Sequence, residues 1–174
     1  MKYLSSSDMR ALLRRVRDFM PHVWPHGPGA ECEETSRLLV KIIGPQARLN
    51  CGTDWRRIPN ARGGGTRQVD SGYRNKAGRW NSHYWVDVTI GQQIYIADLT
   101  ADQFDGPEVV FCKAPNSRYC PNVPQVREML STSRGVRSEV ASWYARWLAW
   151  DRDPFNAPKT TKPSSCNSYN QHTK

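Results

Sequence analysis

The chain has 174 residues, enough for one domain with a real core and too few for two. It carries 25 Lys+Arg against 16 Asp+Glu, a formal charge of +9, which favours acidic partners such as nucleic acid, an anionic membrane surface or an acidic protein. No apolar stretch is long enough to span a bilayer and residues 1–7 hold no signal-peptide core, so the expected location is cytoplasmic, or a target cell reached without a cleaved signal.

Met9, Leu12, Leu13, Val16, Phe19 and Met20 recur at helical spacing. Ser7 is the predicted N-cap, Pro21 the stop, and Arg10, Arg14, Arg15 and Arg17 the wet side. A Pro- and Gly-rich loop follows over 21–29. The next helix starts at Glu31 or Cys32, buries Leu38, Leu39, Ile42 and Ile43, and stops at Gly44-Pro45. Residues 51–80 are polar and glycine-punctuated, and read as a long loop, either a lid or a disordered segment.

Two strands come next. Over 83–90, Tyr84, Val86, Val88 and Ile90 share one face; Gly91-Gln92 suits a type II′ turn; residues 93–99 return. A short strand is predicted over 108–112 and a helix from Pro124 through Val126, Met129 and Leu130. The last helix, over 138–150, carries Val140, Trp143, Tyr144, Trp147 and Leu148 as a core stripe. The chain thus divides into one domain over 1–152 and a basic, Lys-, Thr- and Ser-rich tail over 153–174 that is expected to be disordered.

The chemistry concentrates on three residues. Cys32 opens a helix, where unpaired backbone N–H groups favour a thiolate and can hold an oxyanion. Glu31, Glu33 and Glu34 oppose that charge, so an imidazolium partner is needed. With Gly91-Gln92 as a two-residue turn, Trp85 faces Asp98 and His83 faces Thr100, which puts His83 and Asp98 on one face as diagonal neighbours. A three-residue turn would shift the register by one and separate them. Asp87 and Asp102 are rival carboxylates, and His22 and His26 rival bases. Each residue has a plainer reading as well: an isolated cysteine is usually a small core residue, and a strand histidine an ordinary hydrogen-bonding one.

The segments Glu31-Cys32-Glu33-Glu34-Thr35-Ser36-Arg37-Leu38-Leu39, Ser82-His83-Tyr84-Trp85-Val86-Asp87-Val88 and Ile96-Ala97-Asp98-Leu99-Thr100-Ala101-Asp102-Gln103-Phe104 resemble the papain-like cysteine hydrolase superfamily, bacterial toxin and effector domains included. The resemblance implies an α+β, papain-like fold, with N-terminal helices and the nucleophile at a helix start packed on a small antiparallel sheet. It implies Cys32 as nucleophile, His83 as base and acid, and Asp98 as the group that orients it. Gln103, Trp85 and Glu31 are the candidates for oxyanion stabilisation or substrate positioning. No glutamine precedes Cys32, and the papain Cys-Gly-x-Cys-Trp signature is not found.

The expected function is a cysteine-dependent amide hydrolase or acyl transferase that works on a protein substrate through a thioester, as a glutamine deamidase or transglutaminase-like toxin or effector. A papain-like protease is the alternative. An immunity or inhibitor protein is a second expected partner. No Cys-x-x-Cys pair occurs among Cys32, Cys51, Cys112, Cys120 and Cys166, so no metal and no cofactor are expected. The rival from another class is a basic nucleic-acid-binding module, with Arg56, Arg57, Arg62, Arg67, Arg74 and Arg79 interleaved with Trp55, Tyr73 and Trp80. An inactive hydrolase-like scaffold is a third reading.

Overall fold

The structure, a computed structural model, describes residues 3–24, 31–53, 55–59, 65–121 and 134–153. Helix α1 (Ser6–Phe19) is followed by α2 (Cys32–Ile43) and then by the strands β1 (Ala47–Gly52), β2 (Trp55–Pro59), β3 (Thr66–Asp70), β4 (Gly72–Arg74) and β5 (Trp80–Asn81). The hairpin β6 (His83–Ile90) and β7 (Gln93–Asp98) comes next, then β8 (Val110–Lys113), β9 (Tyr119–Cys120) and helix α3 (Arg134–Arg152). The arrangement is α+β. The central sheet is antiparallel in the order β1-β6-β7-β8, β2 pairs with β3, and β4 lies between β5 and β9 in a small third sheet.

The predicted helices form, with corrections at their ends. Ser5, not Ser7, caps α1: its hydroxyl accepts from the Asp8 N–H while the Asp8 carboxylate accepts from the Ser5 N–H, so two orphan donors are satisfied reciprocally. Arg17 is not on the wet side of α1 but turns inward. Helix α2 ends where Gly44 takes φ of 78°. Helix α3 starts four residues earlier than predicted and buries Val140, Trp143 and Trp147, with the Trp147 ring edge-on to Phe19 at 5.5 Å. The helix predicted from Pro124 and the tail beyond Pro154 lie outside the described residues.

The stretch 51–80 is not one long loop. It holds the end of β1, all of β2 to β4 and the start of β5. Ladder hydrogen bonds between short polar strands supply the order there, and such strands carry no apolar alternation to read.

The central sheet is covered on both faces. Val86, Val88 and Ala97 point into a core shared with Met9, Leu13 and Val16 of α1, Leu38 and Leu39 of α2, and Trp143 of α3. Trp85 and Ile96 point the other way, into a second cluster with Tyr73 of β4, Tyr119 of β9 and Ala101. Gly52 lets the small sheet dock on this second face. A Cβ on Gly52 would lie 2.2 Å from the Gly72 amide nitrogen, so the two backbones meet with no room for a side chain. Gly52 pairs with His83 in the β1–β6 ladder, so the seam falls beside the histidine.

Candidate active site

The turn at Gly91 sets the geometry. Gly91 has φ of 61°, as the first position of a type II′ turn requires, and the register runs from Ile90 opposite Gln93 to Val86 opposite Ala97. This is the two-residue turn expected from the sequence, and it places His83 and Asp98 on one face. His83 Nε2 lies 2.7 Å from Asp98 Oδ2, and both side chains are fully buried.

Asp98 is held on both oxygens. Oδ1 accepts from the Thr100 N–H at 2.8 Å and the Thr100 hydroxyl at 3.1 Å; Oδ2 accepts from the Tyr119 hydroxyl at 2.8 Å as well as from His83. Burial pushes its pKa up, but the charge and hydrogen bond of His83, with Thr100 and Tyr119, outweigh it and hold the carboxyl below its ordinary range. For His83, burial disfavours the cation, yet the charge and hydrogen bond of Asp98 dominate and those of Cys32 add to them, raising the pKa to about 9. The imidazole is therefore cationic at neutral pH. The same carboxylate, added to burial, pushes the Tyr119 phenol well above its ordinary value, so Tyr119 is a fixed donor.

Cys32 is the first residue of α2, half-buried, with Glu31 at the N-cap. Helix α2 packs on β1 and β6, and Cys32 lies close enough to His83 to contribute to its raised pKa. With Nε2 committed to Asp98, Nδ1 is the ring nitrogen left for other partners. Gln103, in a 3₁₀ turn over Ala101–Phe104, sets its carboxamide 3.3 Å from that same Nδ1. A neutral ring accepts there from the amide N–H, and a cationic ring donates to the amide oxygen, so a carboxamide turned over serves both states. Glu31 does not cap α2 with its side chain. Trp85 is buried with its ring 6.3 Å from that of His83.

The remaining ring of His83 sits among aromatic edges, Phe104 at 5.2 Å and Tyr73 at 5.6 Å between centroids. Arg17 braces the turn that bears Gln103: it donates to the Leu99 carbonyl, pairs with Asp102 at 2.5 Å and lies over the Trp24 ring.

The rival groups are placed elsewhere. Asp102 serves Arg17, and Asp87 accepts from Asn50 Nδ2 at 2.6 Å and from the Trp85 indole at 3.2 Å. His22 packs its ring against Phe19 and Trp150, and His26 lies outside the described residues. Of the proposed nucleic-acid surface, Tyr73 is buried beside His83 and offers no ring to a base, whereas Arg74 and Arg79 are exposed. The side chains of Trp55, Arg56, Arg57, Arg62 and Arg67 are outside those described.

Thr100 and Tyr119 were not foreseen from the sequence. Thr100 follows a known local pattern, an Asp side chain that accepts from the backbone two residues on. Tyr119 comes from a two-residue strand with no periodicity to mark it. Among the described residues, no group of three His, Cys, Asp or Glu is arranged to hold a metal ion, and no helix is long and apolar enough to cross a membrane. Set against known protein families, characterised proteins and solved structures, the chain matches none of them.

Proposed function

We propose that the protein is a papain-like cysteine-dependent amide hydrolase or acyl transferase, with Cys32 as nucleophile, His83 as base and acid, and Asp98 as the orienting carboxylate. The observation that carries this reading is the buried His83–Asp98 pair, bonded at 2.7 Å, with Cys32 among the groups that raise the His83 pKa. Cys32 attacks the amide carbonyl, and its proton resides on His83 Nδ1. The N–H groups at the start of α2, with Gln103, stabilise the oxyanion. His83 then protonates the departing amine, leaving a thioester on Cys32. Water resolves the thioester as an acid; an amine resolves it as a new amide.

The substrate in this reading is a protein. A glutamine side chain gives deamidation or transamidation, the reactions this reading favours; a backbone amide gives proteolysis. The charge of +9 suits an acidic substrate or an acidic inhibitor protein.

Alkylation of Cys32 across the pH range tests the chemistry. Fast labelling at pH 6 that becomes ordinary in His83→Ala is the expected result. Labelling of Cys32 no faster than that of Cys51 or Cys166 defeats the proposal. Mass analysis of an incubated protein substrate then separates deamidation from chain cleavage.

A further inference from the structure

The guanidinium of Arg17 is engaged on several sides at once. Nη1 donates to the Leu99 carbonyl and, at 3.3 Å, to Asp102 Oδ1; Nη2 pairs with Asp102 Oδ2 at 2.5 Å. Leu99 is the residue after Asp98, and Asp102 is the residue before Gln103. One planar fork thus fixes both ends of the turn that runs from the buried carboxylate to the carboxamide at His83 Nδ1. The bonds of the 3₁₀ turn itself are long: the Gln103 N–H to the Thr100 carbonyl and the Asp105 N–H to the Asp102 carbonyl are both 3.3 Å.

The flat face of the same guanidinium lies over the Trp24 ring at 4.8 Å. The Trp24 indole N–H donates at 3.1 Å to the hydroxyl of Thr35, in the helix that Cys32 opens, and both residues are buried. Arg17 therefore joins the first turn of α2 to the turn of Gln103. An ion pair alone would need only Asp102; the prong on Leu99 and the stack on Trp24 add direction to charge. Groups from separate elements act together only while each is held to within about 0.5 Å.

We infer that Arg17 is a positioning residue for the proposed reaction: through Asp102 and Leu99 it sets the Gln103 carboxamide against His83 Nδ1, and through Trp24 and Thr35 it ties that turn to the helix of Cys32. The inference rests on the cysteine-hydrolase reading above for the reaction, and on these contacts alone for what Arg17 holds. The titratable groups facing His83 are Asp98, Cys32, Tyr73 and Tyr119. Arg17 contacts Leu99, Asp102 and Trp24, so its route to the ring runs through Gln103. The test is the titration of the His83 imidazole, followed by NMR. Arg17→Met and Gln103→Ala should each move the midpoint in the same direction by at least about half a pH unit, and the double variant by no more than the larger of the two. Arg17→Met should also slow alkylation of Cys32 at pH 6 by at least about tenfold. Arg17→Lys keeps the charge without the fork and should restore neither. Where Arg17→Met does not fold, Asp102→Asn should move the midpoint in the same direction by a smaller amount. An unchanged midpoint in the folded variants, shifts that add in the double variant, or full recovery by Arg17→Lys overturns the inference. Midpoints that respond as expected in a protein whose wild-type Cys32 proves inert to alkylation keep the hold of Arg17 on Gln103 and remove the hydrolase reading.

Discussion

On one side of β6, Val86 and Val88 pack against α1, α2 and α3; on the other, His83 and Trp85 pack against β4 and β9. The first face is mainly apolar. The second buries an imidazole, a carboxylate and two phenols in a network where Asp98 alone accepts four hydrogen bonds. Burying apolar groups is favourable by itself, whereas burying a charge is favourable only where every partner is present. The helix face therefore supplies stability, and the other face spends part of it to hold His83 and Asp98 in fixed positions.

Substitutions should separate the two faces. Cys32→Ala should cut turnover by at least about 10⁴-fold with no loss of thermal stability, since Cys32 is half-buried and small. Activity and melting measurements on one preparation check this, and a residual rate near wild type would remove Cys32 from the chemistry. Asp98→Asn should cost about 10³–10⁴-fold in turnover, because an amide N–H facing Nε2 forces the proton onto Nδ1, where the thiol needs an acceptor. It should also lower stability, which a structural carboxylate would do without changing the pH profile of Cys32 alkylation. Leu38→Ala, on the helix face, should do the reverse: about 2–5 kcal/mol of stability lost, and an unchanged alkylation profile in the folded protein.

The pH dependence of stability follows from the pair. His83 has a folded pKa of about 9 against 6.5 when unfolded, so its contribution is complete below pH 6.5 and disappears as the pH rises through about 9. It is worth at most about 3 kcal/mol. Asp98 is depressed below 3.8, so its contribution is present above that value and is lost on further acidification. Urea unfolding at pH 5.5, 7.5 and 9 should show the decline, and His83→Ala should flatten it. The smallest effect expected is for Tyr119→Phe. It leaves Asp98 with three donors, and turnover should fall about tenfold with alkylation shifted in pH. A Tyr119→Phe protein with an unchanged profile would make the hydroxyl purely structural.

Most of the site was legible in the sequence because it depends on local rules. Gly91 selects a two-residue turn, the turn fixes the register, and the register brings His83 and Asp98 together. Cys32 was placed by the apolar spacing of Leu38, Leu39 and Ile43 and by the stop at Gly44. Residues 51–80 were misread because strands that pair through backbone alone need no apolar alternation. Tyr73 and Tyr119 were not recognised as neighbours of His83, since they reach it from segments far apart in the chain and their partners are set by how one sheet lies on another. Arg17 was read as solvent-facing because it borders the buried stripe of α1, and only the tertiary position of Asp102 turns it inward.

The backbone contact of Gly52 with Gly72 brings the small sheet against the strand that bears His83. Cys32, the His83–Asp98 hairpin and Tyr119 come from three separate stretches, and the pairing of β9 with β4 holds Tyr119 in place. An extended or half-folded chain has the thiol but not the assembled relay. The four-donor shell of Asp98 is thus a property of the folded chain and of no single segment of it.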